Sequence, residues 1–209
     1  MFRIPDDFSS QISQAVGVAE SQTTAELVVV LAHRSRSYWS TALHMTMWLL
    51  YGFLNIILFS HFEVHPFSLS LELPILAGLI AWFCVKSPRL IQRFTFPGIL
   101  RRAVKSAAHA TFYEERVFGT REHTGILIYI SILEKRVELV MDGGVLQHIS
   151  PAELGAIQWS STSDNPHELG QMDDVINGIE SIGQLCATHL PRLGEAINEL
   201  PNEPVVRPW

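Results

Sequence analysis

Residues 41–60 of this 209-residue chain read TALHMTMWLLYGFLNIILFS and hold no Asp, Glu, Lys or Arg. As a helix rising about 1.5 Å per residue, that run spans about 30 Å, the thickness of a bilayer's hydrocarbon core. Residues 67–85, FSLSLELPILAGLIAWFCV, form a second run of similar length whose single charge is Glu72. Glu72 stands near the start of that run beside Pro74. A proline is tolerated in a first helical turn and a carboxylate is favoured there by the helix dipole. The carboxylate then sits at the interface and avoids a mid-bilayer cost of about 3 kcal/mol. Two buried helices of a soluble protein are the alternative. Two adjacent near-uncharged runs, separated only by HFEVHP at residues 61–66, instead favour a transmembrane helical hairpin over residues 38–86.

The charges around the hairpin give its orientation. Arg34 and Arg36 precede it, and Lys86, Arg89, Arg93, Arg101, Arg102 and Lys105 follow it with no acidic residue from 86 to 105, whereas the connecting loop has no Lys or Arg. The excess of cations on both flanks puts both ends in the cytoplasm and predicts a multi-pass protein of the inner (cytoplasmic) membrane. Tyr38, Trp39 and Trp82 stand where interfacial aromatic residues gather. At about 1 kcal/mol per cation near an anionic leaflet, the six basic residues also predict contact with anionic lipid head groups.

Charged residues make up 17% of the chain, against about 25% in an ordinary soluble domain. Residues 38–85 carry only Glu63 and Glu72, so the deficit is concentrated in the hairpin and the rest has the charge of a soluble domain. The net charge of −6 argues against nucleic acid as a partner, since its binding domains present a basic face. Cys84 and Cys186 lie in separate segments without metal-ligand spacing and read as small apolar residues. Residues 1–7 lack the basic and apolar regions of a cleaved targeting segment.

The soluble portion is split by the hairpin. Phe8, Ile12, Ala15, Val16 and Ala19 predict an amphipathic helix over 8–22, and TAELVVVLA at 24–32 predicts a buried strand. A surface helix is expected over 99–118, stopped by Gly119. Two apolar runs, 124–133 and 137–141, flank the charged residues Glu134, Lys135 and Arg136 and predict a strand hairpin. Ser150-Pro151-Ala152-Glu153 supplies an N-cap, an N1 proline and an N3 glutamate, and Asp164-Asn165-Pro166 is expected to end the helix that follows. The stripe Val175, Ile176, Ile179, Ile182, Leu185, Cys186 and Leu190 predicts a last long helix over 172–190. The expected fold class is α/β, a small mixed sheet flanked by helices and interrupted by the transmembrane hairpin. Residues 1–37 and 87–200 would form one domain, residues 38–86 the hairpin, and 201–209 a C-terminal tail.

Three segments, AE…TTAELVVVLA, EERVFGTREHTGILIYISILEKRVELVMDGGV and THLPRLGEAINELPNE, resemble the TPM domain family, and the likeness runs over nearly the whole chain. It looks closest to bacterial membrane forms, which insert a transmembrane pair after the first strand and close with an Asn-Glu-Leu-Pro segment, here residues 198–201. The resemblance implies a central sheet flanked by helices. It further implies either an interaction or assembly module of the cell envelope, or a metal-dependent phosphatase.

Asp142, followed by Gly143 and Gly144, is the candidate metal ligand, for calcium or magnesium. The alternative is a turn residue whose carboxylate accepts from local amides. Calcium takes six to eight oxygens, so Glu20, Glu26 and Asp174 are potential helpers only if folding brings them close. No P-loop, Cys-x5-Arg or His/Asp pair offers phosphatase chemistry, and no catalytic residue is assigned. Arg116, Thr120, Arg121 and Thr124 form either an anion site or a solvated connection. His61, Glu63 and His65 alternate on the loop between the spans, where interfacial residues are the simpler expectation over a surface metal site. From residue 137 onward there are 11 acidic and 2 basic residues, a surface suited to a basic protein partner.

Overall fold

The computed structural model describes residues 6–59, 66–160, 167–192 and 199–207. The chain divides into two compact units, one of residues 1–36 with 101–209 and one of residues 37–100.

In the first unit the run ELVVVLA forms β1 (Glu26–Ala32), and every residue of it is buried. Continuous apolarity without alternation is what a strand covered on both faces requires. The β1 strand pairs in parallel with β2 (Gly125–Ser131), Glu26 opposite Gly125 and Ala32 opposite Ser131. In turn β2 pairs antiparallel with β3 (Arg136–Met141), the strand hairpin expected from the sequence. The other side of β1 pairs in parallel with β4 (Val205–Arg207), so the four strands run in the order β3-β2-β1-β4. Residues 205–207 fall in the segment expected to be a tail, and they complete the sheet.

On one sheet face α1 (Asp6–Gln22) and α8 (Met172–His189) cover Leu27, Val29 and Leu31 with Ile126, Ile128 and Ile130. On the other, Val104, Ala108 and Phe112 cover Val28, Val30, Leu127 and Tyr129. They stand one turn apart on α5 (Pro97–Glu114). The mixed α/β class is therefore as expected. Where α1 crosses α8, a Cβ on Gly183 would meet the Ala19 Cβ at 2.6 Å, so only glycine lets the two backbones approach this closely.

Besides β4, other elements differ from expectation: α5 ends at Glu114, short of the expected stop at Gly119. Asp142 leads into α6 (Gly143–His148), a short helix where a turn was expected. The helix capped by Ser150 is α7 (Pro151–Gly155), five residues long. The chain leaves it early to bury Trp159 among the residues that cover the sheet, a larger apolar gain than a continued surface helix offers. Residues 164–166, the expected stop, lie outside the described residues.

The second unit consists of α2 (Trp39–Phe59), α3 (Pro66–Lys86), α4 (Pro88–Phe94) and the first turn of α5. Among the described residues one helix, α2, is long and apolar enough to cross a membrane, with a mean hydropathy of 1.6. Only 17% of its most apolar stretch is buried, and Trp48, Leu58 and Phe59 are 66%, 74% and 80% exposed. The expected second span has a different form. Residues 72–86 meet the same test only together with α4, across a bend of 88°. The bend falls at Ser87, which is extended (φ −101°, ψ 94°) as the residue before a proline tends to be. Pro74 lies inside α3 and not in its first turn, because Pro66 starts the helix. Glu72 is consequently about 9 Å along the helix axis from Pro66, beyond the first turn in which it was expected.

Candidate functional site

Asp142 ends β3 and caps α6. Its Oδ1 accepts from the Gly143 amide at 2.7 Å, and the His123 ring nitrogen Nδ1 lies 3.1 Å from its Oδ2. Its own amide donates to the Gly125 carbonyl at 2.9 Å, which holds the strand end against β2. Gly144 is required beside it. A Cβ there would lie 2.3 Å from the Glu122 carbonyl oxygen, and its amide donates to the His123 carbonyl at 2.8 Å. Asp142 thus stands at the N-cap of α6.

The three potential helpers are engaged elsewhere. Asp174 accepts from the Gln171 amide at 2.7 Å in the capping box of α8. Glu20 and Glu26 line a separate pocket that Asp142 does not reach. Among the described residues no three of His, Cys, Asp and Glu converge to hold a metal ion.

That separate pocket, of about 140 Å³, is polar and is lined by Gly17, Glu20, Ser21, Thr23, Glu26, Arg192 and Asn202. Glu20 comes from the last turn of α1, and Glu26 opens β1. Both are 9% exposed. Glu20 Oε1 accepts from the Leu27 amide at 2.8 Å, and Glu26 Oε2 accepts from the Leu200 amide at 3.4 Å. Arg192 Nη1 donates to the Glu20 carbonyl oxygen at 3.1 Å. Burial pushes the Glu20 carboxyl up to about 7, the Leu27 amide opposes it, and the Glu26 charge pushes it further. Burial likewise raises Glu26, against the Glu199 and Leu200 amides. Near neutral pH the Glu20 carboxyl therefore gains and loses a proton readily.

A second polar knot lies at the opposite end of β1 and β2. Glu134 is buried, where a solvated turn was expected. It accepts from the Ser35 amide at 3.0 Å and from the Ser131 hydroxyl, and the Ser35 hydroxyl donates to Ser131 Oγ at 2.9 Å. It fixes the chain just after β1. No sequence pattern distinguishes Glu134 from the neighbouring Lys135 and Arg136; only the turn geometry, with Lys135 at φ 49°, turns it inward.

Of the anion candidates, the two threonines are used internally. Thr120 Oγ1 accepts from the Thr124 amide at 3.0 Å, and the Thr124 hydroxyl donates to the Thr24 carbonyl at 3.0 Å. Arg121 faces Glu199 at 3.5 Å, and Arg116 is exposed at φ 55°. Of the basic cluster, Lys86 ends α3, Arg89 and Arg93 lie on α4, and Arg101, Arg102 and Lys105 lie on α5, all exposed. His61, Glu63 and His65 lie outside the described residues.

No family model and no curated protein sequence matches the chain. Among solved structures, the NMR structure of the BA42 protein from the psychrophilic bacterium Bizionia argentinensis is similar, with a TM-score of 0.55 at 17% identity. The match covers 98% of this chain and 96% of that one, and at this identity the likeness is one of fold.

Proposed function

We propose that the protein is a membrane-anchored, TPM-type α/β module that faces the cytoplasm and serves as an interaction or assembly factor of the cell envelope. The observation that carries this reading is the unpartnered apolar surface of α2, where Trp48, Ile56, Leu58 and Phe59 are all more than half exposed. A contiguous apolar surface of that extent is stable in lipid and marks an interaction site in water. In this reading α2 and α3 are two spans whose ends return to one side, and Lys86, Arg89, Arg93, Arg101, Arg102 and Lys105 sit against the anionic leaflet. The acidic residues after position 137 offer a basic protein partner a complementary face.

The test is topology in intact bacterial cells. Cys84 and Cys186 are buried, so a single introduced thiol reports cleanly. Ser60→Cys is expected to react with a membrane-impermeant maleimide from outside, and Lys105→Cys only after lysis. Release of the chain by alkaline carbonate, or labelling of Lys105→Cys in intact cells, overturns the reading. Affinity purification from detergent extracts then identifies the partner.

A further inference from the structure

The unit of residues 37–100 contains an open pocket of about 770 Å³, within the range of small-molecule sites. One wall is a single face of α2, including Met45, Trp48 and Leu49; the other comes from Leu90, Phe94 and Phe96. Its polar groups are mostly satisfied locally. The His44 ring nitrogen Nδ1 lies 2.6 Å from the Ser40 carbonyl, and the Thr95 hydroxyl donates to Thr41 Oγ1 at 3.4 Å. What remains is an apolar lining that suits a hydrocarbon chain.

The helix that forms one wall also carries the charge. At 3.6 residues per turn, Leu90 and Phe94 make one stripe of α4, and Arg89 and Arg93 make the stripe beside it. Both arginines are exposed, and no ion pair among the described residues involves them. Residues 73–113 contain no acidic side chain at all, so their charge has no nearby compensation in sequence. The 88° bend before α4 turns it across the direction of α3, so with α3 spanning the bilayer as proposed above α4 would lie along the membrane interface. An apolar slot walled by Leu90 and Phe94, with the two arginines on the next stripe of the same helix, is complementary to a ligand with an acyl tail and an anionic head.

We infer that this pocket binds one acyl chain of an anionic glycerophospholipid, with Arg89 and Arg93 on its phosphate. The inference rests on the membrane anchoring proposed above and adds a defined lipid site to it.

The experiment uses the full chain purified in detergent, titrated with phosphatidylglycerol or phosphatidylcholine and read by native mass spectrometry. One phosphatidylglycerol is expected to bind per chain before any further lipid, with phosphatidylcholine weaker. Substituting Arg89→Gln and Arg93→Gln together is expected to remove that preference, by about fivefold for each arginine. Leu90→Trp, and separately Ile99→Trp, fill the slot and are expected to abolish the first adduct while circular dichroism stays unchanged. Equal binding of the two lipids, or a first adduct that survives both tryptophan variants, overturns the inference. Release of the wild-type chain from membranes by alkaline carbonate overturns the anchoring and this site with it. A chain that stays embedded but shows no lipid preference refutes the site alone.

Discussion

Glu20, in the last turn of α1, and Glu26, the first residue of β1, face one small pocket, and the charge on Glu26 helps to hold the Glu20 carboxyl near a pKa of 7. The folded state therefore binds the Glu20 proton more tightly than the unfolded chain, whose carboxyl titrates near 4.5. Its contribution to stability is fully present below 4.5 and is lost as the pH rises through 7. Glu20→Gln keeps an acceptor for the Leu27 amide and removes the titration. The wild type is expected to lose about 2 kcal/mol between pH 5 and pH 8 relative to this variant, allowing for partial screening. Urea midpoints across that range check it; parallel pH profiles refute it.

Asp142 acts here as a cap. Asp142→Ala is expected to cost about 1 kcal/mol and Asp142→Asn a few tenths, because asparagine caps as well as aspartate. Chemical denaturation of the two variants measures the difference. A loss as large for Asn as for Ala would mean that the charge itself, through His123, carries the effect.

Glu134 satisfies the Ser35 amide and the Ser131 hydroxyl in a buried setting. Glu134→Ala leaves both without their acceptor and is expected to cost about 2 kcal/mol or more. Faster hydrogen exchange at the Ser35 amide is the specific readout; unchanged exchange there would show that another acceptor takes over.

Gly183→Ala inserts a methyl group against Ala19 and is expected to destabilise by about 1–3 kcal/mol through overpacking. Adding Ala19→Gly removes the obstructing carbon and should recover much of that loss. A double-mutant cycle on thermal unfolding tests this, and strictly additive effects would show that the two helices do not meet there.

What the sequence revealed and what it concealed divide along physical lines. The β1 run, the Glu134-Lys135 turn between two strands, and the Ser150/Glu153 capping box are local signals, and each forms where its pattern lies. The length of α7 was hidden, because the burial of Trp159 depends on a surface that only the assembled core supplies. So was β4, three residues whose pairing with β1 is decided by a partner more than 170 positions away. The Glu20–Glu26 pocket was half visible: both residues stood out, but their companions Arg192 and Asn202 come from the far end of the chain. The bend at Ser87 was legible in hindsight from Pro88, yet the long apolar run before it dominated the pattern.

The neighbours β1 and β2 are joined by a crossover that contains the entire unit of residues 37–100. During synthesis, β1 leaves the ribosome before its partner strand exists, and at about 5–20 residues per second it waits several seconds for residues 125–131. Its far edge stays open longer still, until residues 205–207 emerge. Through that interval ELVVVLA, six of its seven residues apolar, is a strand without a mate, the kind of open edge that adheres to other chains.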